Sequence, residues 1–301
     1  MSRLEIPTPA KINLGLAVRG RRPDGYHEIE TILQLVDLTD RLILEREETG
    51  QISLETDHPS LPNDEKNLVY QAARLLQRHT GSSWGVRMQL QKHIPIGAGL
   101  GGGSGNAAFA LWGLNELWEL GLTREELQEL GRALGSDVPF FLFAAQAVGT
   151  GKGDALSPLP PLPPLPVLLI NPGFSLSTAL IYRRVRLVLT KRENRITMLR
   201  RFFLMGDVEA IGRHLFNDLE TVVLEDHPVI GEMKEALLAR GAEGAIMSGS
   251  GPTVLGLFAE RQTAQDALLH LQQEHRGWWI HLTTTLPSLE DMWQRVRRDS
   301  T

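Results

Sequence analysis

The sequence predicts an α+β protein divided into two domains, and three observations carry that expectation. The chain has 301 residues, enough for two cores of ordinary domain size. Runs of period-two alternation are interleaved with longer runs of helical spacing, in the second half as in the first. One abrupt change of composition, Ser157 to Pro166 with the sequence S-P-L-P-P-L-P-P-L-P, separates the two halves. Such a stretch makes a stiff connection, and the strand-like run Val167 to Asn171 begins directly after it. A polyproline ligand for a partner domain is the alternative reading of the same residues. The expected division is therefore 1–156 and 157–301.

Composition narrows the function classes. At 42% hydrophobic and 22% charged, the chain has the make-up of a folded soluble protein. A net charge of −5 offers a polyanion no attraction, so no nucleic-acid partner is expected. The absence of cysteine excludes disulfides, thiolate nucleophiles and zinc–sulfur sites, and it fits a cytoplasmic protein. No apolar run reaches membrane-spanning length and Met1 to Pro9 lacks a signal-peptide core, so no membrane partner is expected. Only six of the 31 basic residues are lysine, which draws attention to Lys11 near the start.

From Pro9 the elements follow in order. Ile12, Leu14, Leu16 and Val18 alternate with Lys11, Asn13, Gly15 and Ala17, as in a strand with one buried face. That period puts Lys11 and Asn13 on one side, opposite the apolar residues. They make a solvated face, or an ammonium and an amide able to hold a phosphoryl group or a hydroxyl. Pro23-Asp24-Gly25 is a turn that delivers Tyr26 and His27 at its exit, for packing or for ligand contact. Strand-like runs follow at Ile29 to Val36, Arg41 to Arg46 and Gln51 to Glu55. Leu68, Ala72, Leu75 and Leu76 share one face of a helix from Leu68 to His79, with Asn67 as its N-cap.

The next segment is the most informative. Val86, Met88 and Leu90 alternate with Arg87, Gln89 and Gln91, and the chain then reads I-P-I-G-A-G-L-G-G-G-S-G-N-A-A-F-A-L from Ile94 to Leu111. Strand, glycine loop and helix come in the order that a phosphate site requires. Six glycines between Gly97 and Gly105 leave the backbone bare enough for an anion to meet its amides. The helix expected from near Ser104 adds unpaired N–H groups and the positive end of its dipole. No Gly-Lys-Ser/Thr closes the loop, so it is not a Walker loop, and Gly97-x-Gly99-x-x-Gly102 matches a dinucleotide fingerprint by letter only. An anion cradle is the reading adopted over a mere close turn between strand and helix.

Thr123-Arg-Glu-Glu126 is the capping box of a second helix, expected to stop at a left-handed Gly135. Ser136-Asp137-Val138-Pro139 then turns into the apolar run Phe140 to Ala145, expected as a buried strand. Asp137 at that junction is a turn former or a functional base. Gly149 to Gly153 is expected as a flexible loop. In the second half, helical spacing marks Thr197 to Leu204, Val208 to Phe216, Pro228 to Arg240, Thr263 to His275 and Ser288 to Arg297. Strands are expected at Ala245 to Met247, Thr253 to Phe258 and Trp278 to Thr284, with Ser248-Gly-Ser-Gly-Pro252 reversing the first two as a hairpin. No internal repeat or heptad pattern occurs.

Taken in order, Pro9-Ala-Lys-Ile-Asn-Leu14, the glycine loop from Pro95 to Ala107, and Ser248-Gly-Ser-Gly-Pro252 resemble three motifs of the GHMP kinases. That superfamily includes galactokinases, homoserine kinases and mevalonate kinases, and the likeness runs essentially end to end. Asp24-Gly-Tyr-His27, Leu134-Gly-Ser-Asp-Val-Pro139 and Asn217-Asp-Leu-Glu220 are similar to the branch acting on a cytidine diphosphate-linked methylerythritol in non-mevalonate isoprenoid synthesis.

The resemblance implies an N-terminal half like ribosomal protein S5 domain 2 and a ferredoxin-like C-terminal half. It implies an ATP-dependent kinase of a small-molecule alcohol, with Mg2+, acting as a monomer or weak homodimer. Lys11 and Asp137 would be the catalytic pair. Pro95, Ile96, Gly97, Ala98, Gly99, Leu100, Gly101, Gly102, Gly103, Ser104 and Gly105, with Asn67, would bind the ATP. Asn13 and Thr178 would contact the methylerythritol end, His27 would hydrogen-bond the cytosine, and Tyr26 and Tyr182 would stack on its faces. Two departures stand out: Gly105 occupies a place where many relatives repeat serine, which is expected to matter little, and Lys152 leaves the role of its loop open.

Three other expectations compete. A dehydrogenase would use the loop as a dinucleotide fingerprint, but no parallel βαβ continuation with a strand-end acid follows it. A non-catalytic nucleotide-binding regulator would not need Lys11 and Asp137. A sister kinase of another alcohol, mevalonate or homoserine, differs only at the end defined by Tyr26, His27 and Tyr182.

Overall fold

The structure, a computed structural model, describes residues 2–185 and 195–299. Its frame is a long antiparallel ribbon, β1 (Arg3–Arg21) and β2 (His27–Glu47), joined at the Pro23-Asp24-Gly25 turn. The two separate strands expected between Ile29 and Arg46 are one. Asp40 stays paired opposite Thr8, and its carboxylate finds buried donors, so polar residues do not end the strand there. β3 (Ile52–Thr56) lies parallel to β4 (Gly85–Gln91), which pairs antiparallel with β2. Between them runs α1 (Leu68–Thr80), where the Asn67 side chain accepts the Val69 N–H at 3.0 Å as the capping reading expects.

α2 (Gly102–Leu117) begins two residues before the expected Ser104. Its N-cap is Gly101 at φ 68, a conformation glycine reaches without strain. Residues Gly105 to Leu111 are buried all round, which makes α2 the central helix of the first core rather than an amphipathic surface helix. α3 (Arg124–Leu134) carries the complete Thr123/Glu126 capping box.

Beyond α3 the local expectations need correction. Gly135 is extended, at φ 169, not left-handed, so the chain doubles back through Asp137 without a left-handed cap. The apolar run expected as a strand is instead a single helical turn, α4 (Phe140–Phe143). A short fully buried apolar run has no period by which to tell the two apart. The expected loop at Gly149 to Gly153 belongs to a hairpin of β5 (Gln146–Gly151) and β6 (Ala155–Pro158), with Lys152 and Gly153 at its tip. In the proline-rich segment Leu159, Leu162 and Leu165, three residues apart as in a polyproline helix, are all buried in the second core. The segment is packed against the protein, which speaks for a stiff connection over a free docking ligand.

The second half contains β7 (Pro166–Asn171), α5 (Thr178–Arg184), α6 (Arg195–Met205), α7 (Val208–Arg213), β8 (Phe216–Asn217) and α8 (Glu220–Asp226). It continues with α9 (Val229–Leu238), β9 (Gly244–Met247), β10 (Val254–Leu257), α10 (Arg261–Glu274), β11 (Trp279–Thr284), α11 (Glu290–Gln294) and β12 (Arg297–Asp299). The expected helices are present, although the one from Val208 stops at Arg213 and its end becomes β8, paired parallel to β1, and the one expected over Ser288 to Arg297 shrinks to α11, with Arg297 already in β12. α5 and α8, with seven residues each, are too short to show a helical period in the sequence.

Two sheets result. One runs β12-β1-β2-β4-β3 with β5, β6 and β8 attached; the other is antiparallel in the order β11-β7-β10-β9. With α9 and α10 between its strands, the second has the β-α-β-β-α-β ferredoxin-like arrangement. This is an α+β fold. One core packs α1 to α4 on the first sheet and includes Leu289 and Met292 from the end of the chain. Another joins Ile12 and Ile32 of the first sheet to Val167, Leu169 and Leu255 of the second. A third packs α9 and α10 on the other face of the second sheet.

Candidate active site

Lys11 and Asn13 do share one side of β1, but that side is not solvated: they are 4% and 3% exposed. A buried ammonium needs polar partners. Lys11 Nζ donates to Asn13 Oδ1 at 2.6 Å and lies 3.7 Å from Asp137 Oδ2, although 126 residues separate lysine and aspartate in the chain. Asn13 Nδ2 donates to Thr31 Oγ1 at 2.8 Å, and that hydroxyl donates to the Gly15 carbonyl, so the amide is held with its oxygen toward Lys11. Asp137 sits in the turn between α3 and α4 with its side chain 38% exposed, facing the cleft. Burial, and after it the negative charge of Asp137, raise the pKa of the Tyr182 hydroxyl far above its ordinary value.

Two glycine turns enclose Lys11. The Lys11 N–H donates to the Leu100 carbonyl at 2.9 Å, which ties the glycine loop to β1. A Cβ on Gly101 would come within 2.8 Å of the Lys11 stem, and one on Gly249 within 3.3 Å of its Nζ. Ser248 Oγ donates to the Gly99 carbonyl at 3.0 Å and accepts the Asn13 N–H, so the β9–β10 hairpin turn leans directly on the loop. Asn217 holds that turn by donating to the Met247 and Gly249 carbonyls. The first intrahelical bond of α2 is Gly105 N–H to the Gly101 carbonyl, which leaves the N–H groups of Gly102, Gly103 and Ser104 outside the helical ladder. All three residues line the cleft.

Gly105 itself stands apart from the rest of the loop. Its N–H is committed to Gly101, it does not line the cleft, and a Cβ there would lie 2.8 Å from the Pro9 carbonyl. Gly105 thus packs closely against β1, and a side chain there would have to displace the Pro9 carbonyl or the Phe141 ring.

The cleft is continuous and has a volume of about 1320 Å³, more than a single drug-sized ligand occupies. One end is walled by Asn67, Leu68 and the glycine loop with Pro95 and Ile96. Lys11, Asn13, Asp137, Thr178 and Ser250 lie between the ends, with a 2.8 Å bond joining the hydroxyls of Thr178 and Ser250. At the other end the His27 and Tyr182 rings are 5.2 Å apart, and Tyr26, 59% exposed, lies under Lys152 with the ammonium 5.0 Å from its ring centre. Burial, reinforced by the nearby Arg21, lowers the His27 pKa below its ordinary value. Lys152 thus reaches the cleft from the β5–β6 tip.

Sequence reasoning missed several residues of this site. Arg21, Lys152 and Arg183 line the cleft and outnumber Asp24, the carboxylate beside Lys152. Ser248 and Asn217 were read only as parts of motifs. Asp40, Lys92, Asn106 and Thr8 form a buried polar cluster behind the glycine loop. The scarcity of lysine and the place of Lys92 just before the loop were the available signal for that cluster. Among the described residues no group of three histidine, aspartate or glutamate side chains gathers to hold a metal ion. No described helix is long and apolar enough to cross a membrane.

Comparison with known proteins yields consistent matches. The family model for the GHMP kinases N terminal domain matches residues 67–145, and that for the GHMP kinases C terminal matches residues 198–276. A 4-diphosphocytidyl-2-C-methyl-D-erythritol kinase of Geobacter sp. (strain M21) is 42% identical over 286 residues, covering 95% of this chain and 100% of that protein. A crystal structure of a 4-(cytidine 5'-diphospho)-2C-methyl-D-erythritol kinase superposes with a TM-score of 0.79 at 36% identity, covering 93% of this chain and 98% of the other. The homoserine kinase of Cytophaga hutchinsonii shares the fold, with a TM-score of 0.77 at 20% identity over 96% of both chains.

Proposed function

The chain belongs to the GHMP kinases, and within them to the 4-diphosphocytidyl-2-C-methyl-D-erythritol kinases, and from that membership we propose that it moves the γ-phosphoryl group of ATP to the C2 hydroxyl of that cytidine-linked substrate. The reaction would serve non-mevalonate isoprenoid synthesis in the cytoplasm. The observation that carries the reading is the opposition of Lys11 and Asp137 at 3.7 Å beside the unpaired amides at the start of α2.

Phosphoryl transfer runs through a loose transition state, so alignment and charge placement outweigh covalent help from the protein. The N–H groups of Gly102, Gly103 and Ser104 hold the phosphates of the donor. Asp137 orients the acceptor hydroxyl and takes its proton as the new O–P bond forms and ADP leaves. The Lys11 ammonium, fixed by Asn13, screens the attacking oxygen from the incoming negative charge. Were Mg2+ to bind with the nucleotide, Ser104 Oγ at the start of α2 would be a hard oxygen ligand for it, and the ion would supply positive charge against the phosphates. Arg21, Lys152 and Arg183 supply positive charge where a diphosphate would cross toward the base, and Tyr26, His27 and Tyr182 receive the cytosine. Asn13 and Thr178 contact the methylerythritol end. The partner is thus a small molecule, with no nucleic acid or membrane, and the protein works as a monomer or weak homodimer.

The decisive test is an ADP-release screen over cytidine-linked methylerythritol, mevalonate, homoserine and galactose. Turnover confined to the first supports the reading. A preference for another alcohol would transfer the protein to a sister kinase, and thermal stabilisation by NAD in place of ATP would indicate a dinucleotide enzyme.

A further inference from the structure

The polar cluster behind the glycine loop is not used by the mechanism above. Asp40 comes from the middle of β2, Lys92 from the residue just past β4, Asn106 from the second turn of α2 and Thr8 from β1. Asp40 and Thr8 are 0% exposed and Asn106 1%, and the Lys92 side chain is 5% exposed. Asp40 Oδ1 accepts the main-chain N–H groups of His93 and Ile94 at 2.7 and 2.9 Å. Its Oδ2 accepts Lys92 Nζ and Asn106 Nδ2. Asn106 closes the circuit, accepting from Lys92 Nζ at 3.1 Å and donating to Thr8 Oγ1 at 2.6 Å. Lys92 Nζ also lies 3.3 Å from where a Cβ on Gly102 would be, against the first residue of α2.

A buried ion pair is a poor source of net stability, because desolvation offsets its attraction and an apolar pair of the same volume often serves as well. Its value is geometric. We infer that Asp40, Lys92 and Asn106 are positioning residues for the nucleotide: they clamp the exit of β4 to the first turns of α2 and so preset the span of the glycine loop. Gly97, Gly99 and Gly101 all have positive φ, and a stretch so rich in glycine has many conformations to lose. With both ends clamped, that ordering is complete before the donor arrives, and affinity for the triphosphate rises. Lys92 and Asn106 also line the cleft, but the Lys92 ammonium is turned to Asp40 and Asn106, so the role assigned to it is to hold the loop.

This inference rests on the loop being the nucleotide cradle, as proposed above, but not on the identity of the acceptor. The test is therefore ATP affinity of the full-length chain by calorimetric titration, with both KM values measured in parallel. Lys92→Met removes the clamp while keeping an apolar stem of similar length. The expected result is an ATP Kd and KM raised about ten- to a hundredfold, the cost of reordering one or two loop residues. The acceptor KM should stay within about twofold, and Lys92→Arg, which keeps the charge, should recover part of the loss. A purely structural role would lower the melting temperature and the active fraction and leave both KM values in place. Should Lys92→Met not fold, Asn106→Ser leaves the Asp40–Lys92 pair and cuts its tie to α2, and the same selective rise is expected. An ATP Kd unchanged in a folded variant, or equal rises in both KM values, overturns the inference. ATP binding without turnover on any alcohol would instead overturn the kinase reading and leave this one standing.

Discussion

Replacing Asp137 by asparagine separates the two roles that its carboxylate could play. At the 3.7 Å separation from Lys11 Nζ, Coulomb's law gives about 1 kcal/mol in bulk water and about 4 kcal/mol at an effective dielectric constant of 20. The Asp137 side chain is more than a third exposed, which places the pair toward the lower figure. Losing that attraction costs little, because Lys11 keeps its bond to Asn13 Oδ1. Losing the proton acceptor costs much more: removal of a general base lowers kcat by about 10²–10⁴-fold, or about 3–5 kcal/mol of barrier. Asp137→Asn should therefore reduce kcat by that factor while the ATP KM stays within about twofold, since the amides proposed to hold the phosphates belong to a different element. Steady-state ADP release at saturating acceptor measures it, with a thermal melt to confirm the fold. A folded variant retaining more than about a tenth of parental turnover would refute Asp137 as the base. If Lys11 and Asp137 act on one oxygen, as proposed, adding Lys11→Met to Asp137→Asn should cost far less than the product of the single effects.

Three further outcomes follow from the geometry. Gly99→Ala should destabilise the protein by about 2–4 kcal/mol, because φ is +77 and the new Cβ would stand 2.2 Å from the Ser248 carbonyl oxygen; a urea midpoint close to the parent's would contradict the contact between the two glycine turns. Burial and Arg21 lower the His27 pKa, so the unfolded ring takes its proton near 6.5 and the folded one only at lower pH. The stability that the neutral ring contributes is thus complete above 6.5 and declines as the pH falls below it. In parallel the acceptor KM should stay flat down to about 6.5 and then rise, while His27→Gln removes that rise; a midpoint above 6.5 would exclude His27 as its source. Tyr26→Ala should raise the acceptor KM and spare ATP, and equal changes in both would point to general loosening.

What could be read in the sequence was local. The Asn67 cap, the Thr123/Glu126 box and the order strand, glycine loop, helix each depend on residues a few places apart, and each stands in the structure; β1 is the expected strand, but from Thr8 to Ala17 both its faces are buried, not one. The distant pairings were not legible. Lys11 and Asp137 carry no spacing relation, and only the resemblance to GHMP kinases put them together. Asp37 to Asp40 looked like the end of a strand because the donors that bury Asp40 arrive from residues 92–94 and 106. Phe140 to Phe143 offered four apolar side chains and no period. The return of Trp293 to stack on Trp112, at 4.1 Å, closes the first core with a residue from the far end of the chain, which no window of local sequence could show.

The contact between the two glycine turns also limits how this protein can vary. The carbonyls of Gly99 and Ser248 and the stem of Lys11 leave no slack between turns that lie about half the chain apart in sequence. A change of shape in one must be matched by the other, so the two turns are expected to drift in concert and to resist exchange. A chimaera joining the first half of this chain to the second half of a distant homologue would meet this seam before any other obstacle. Inheritance here works on the pair of turns as one unit, even though the gene writes them far apart.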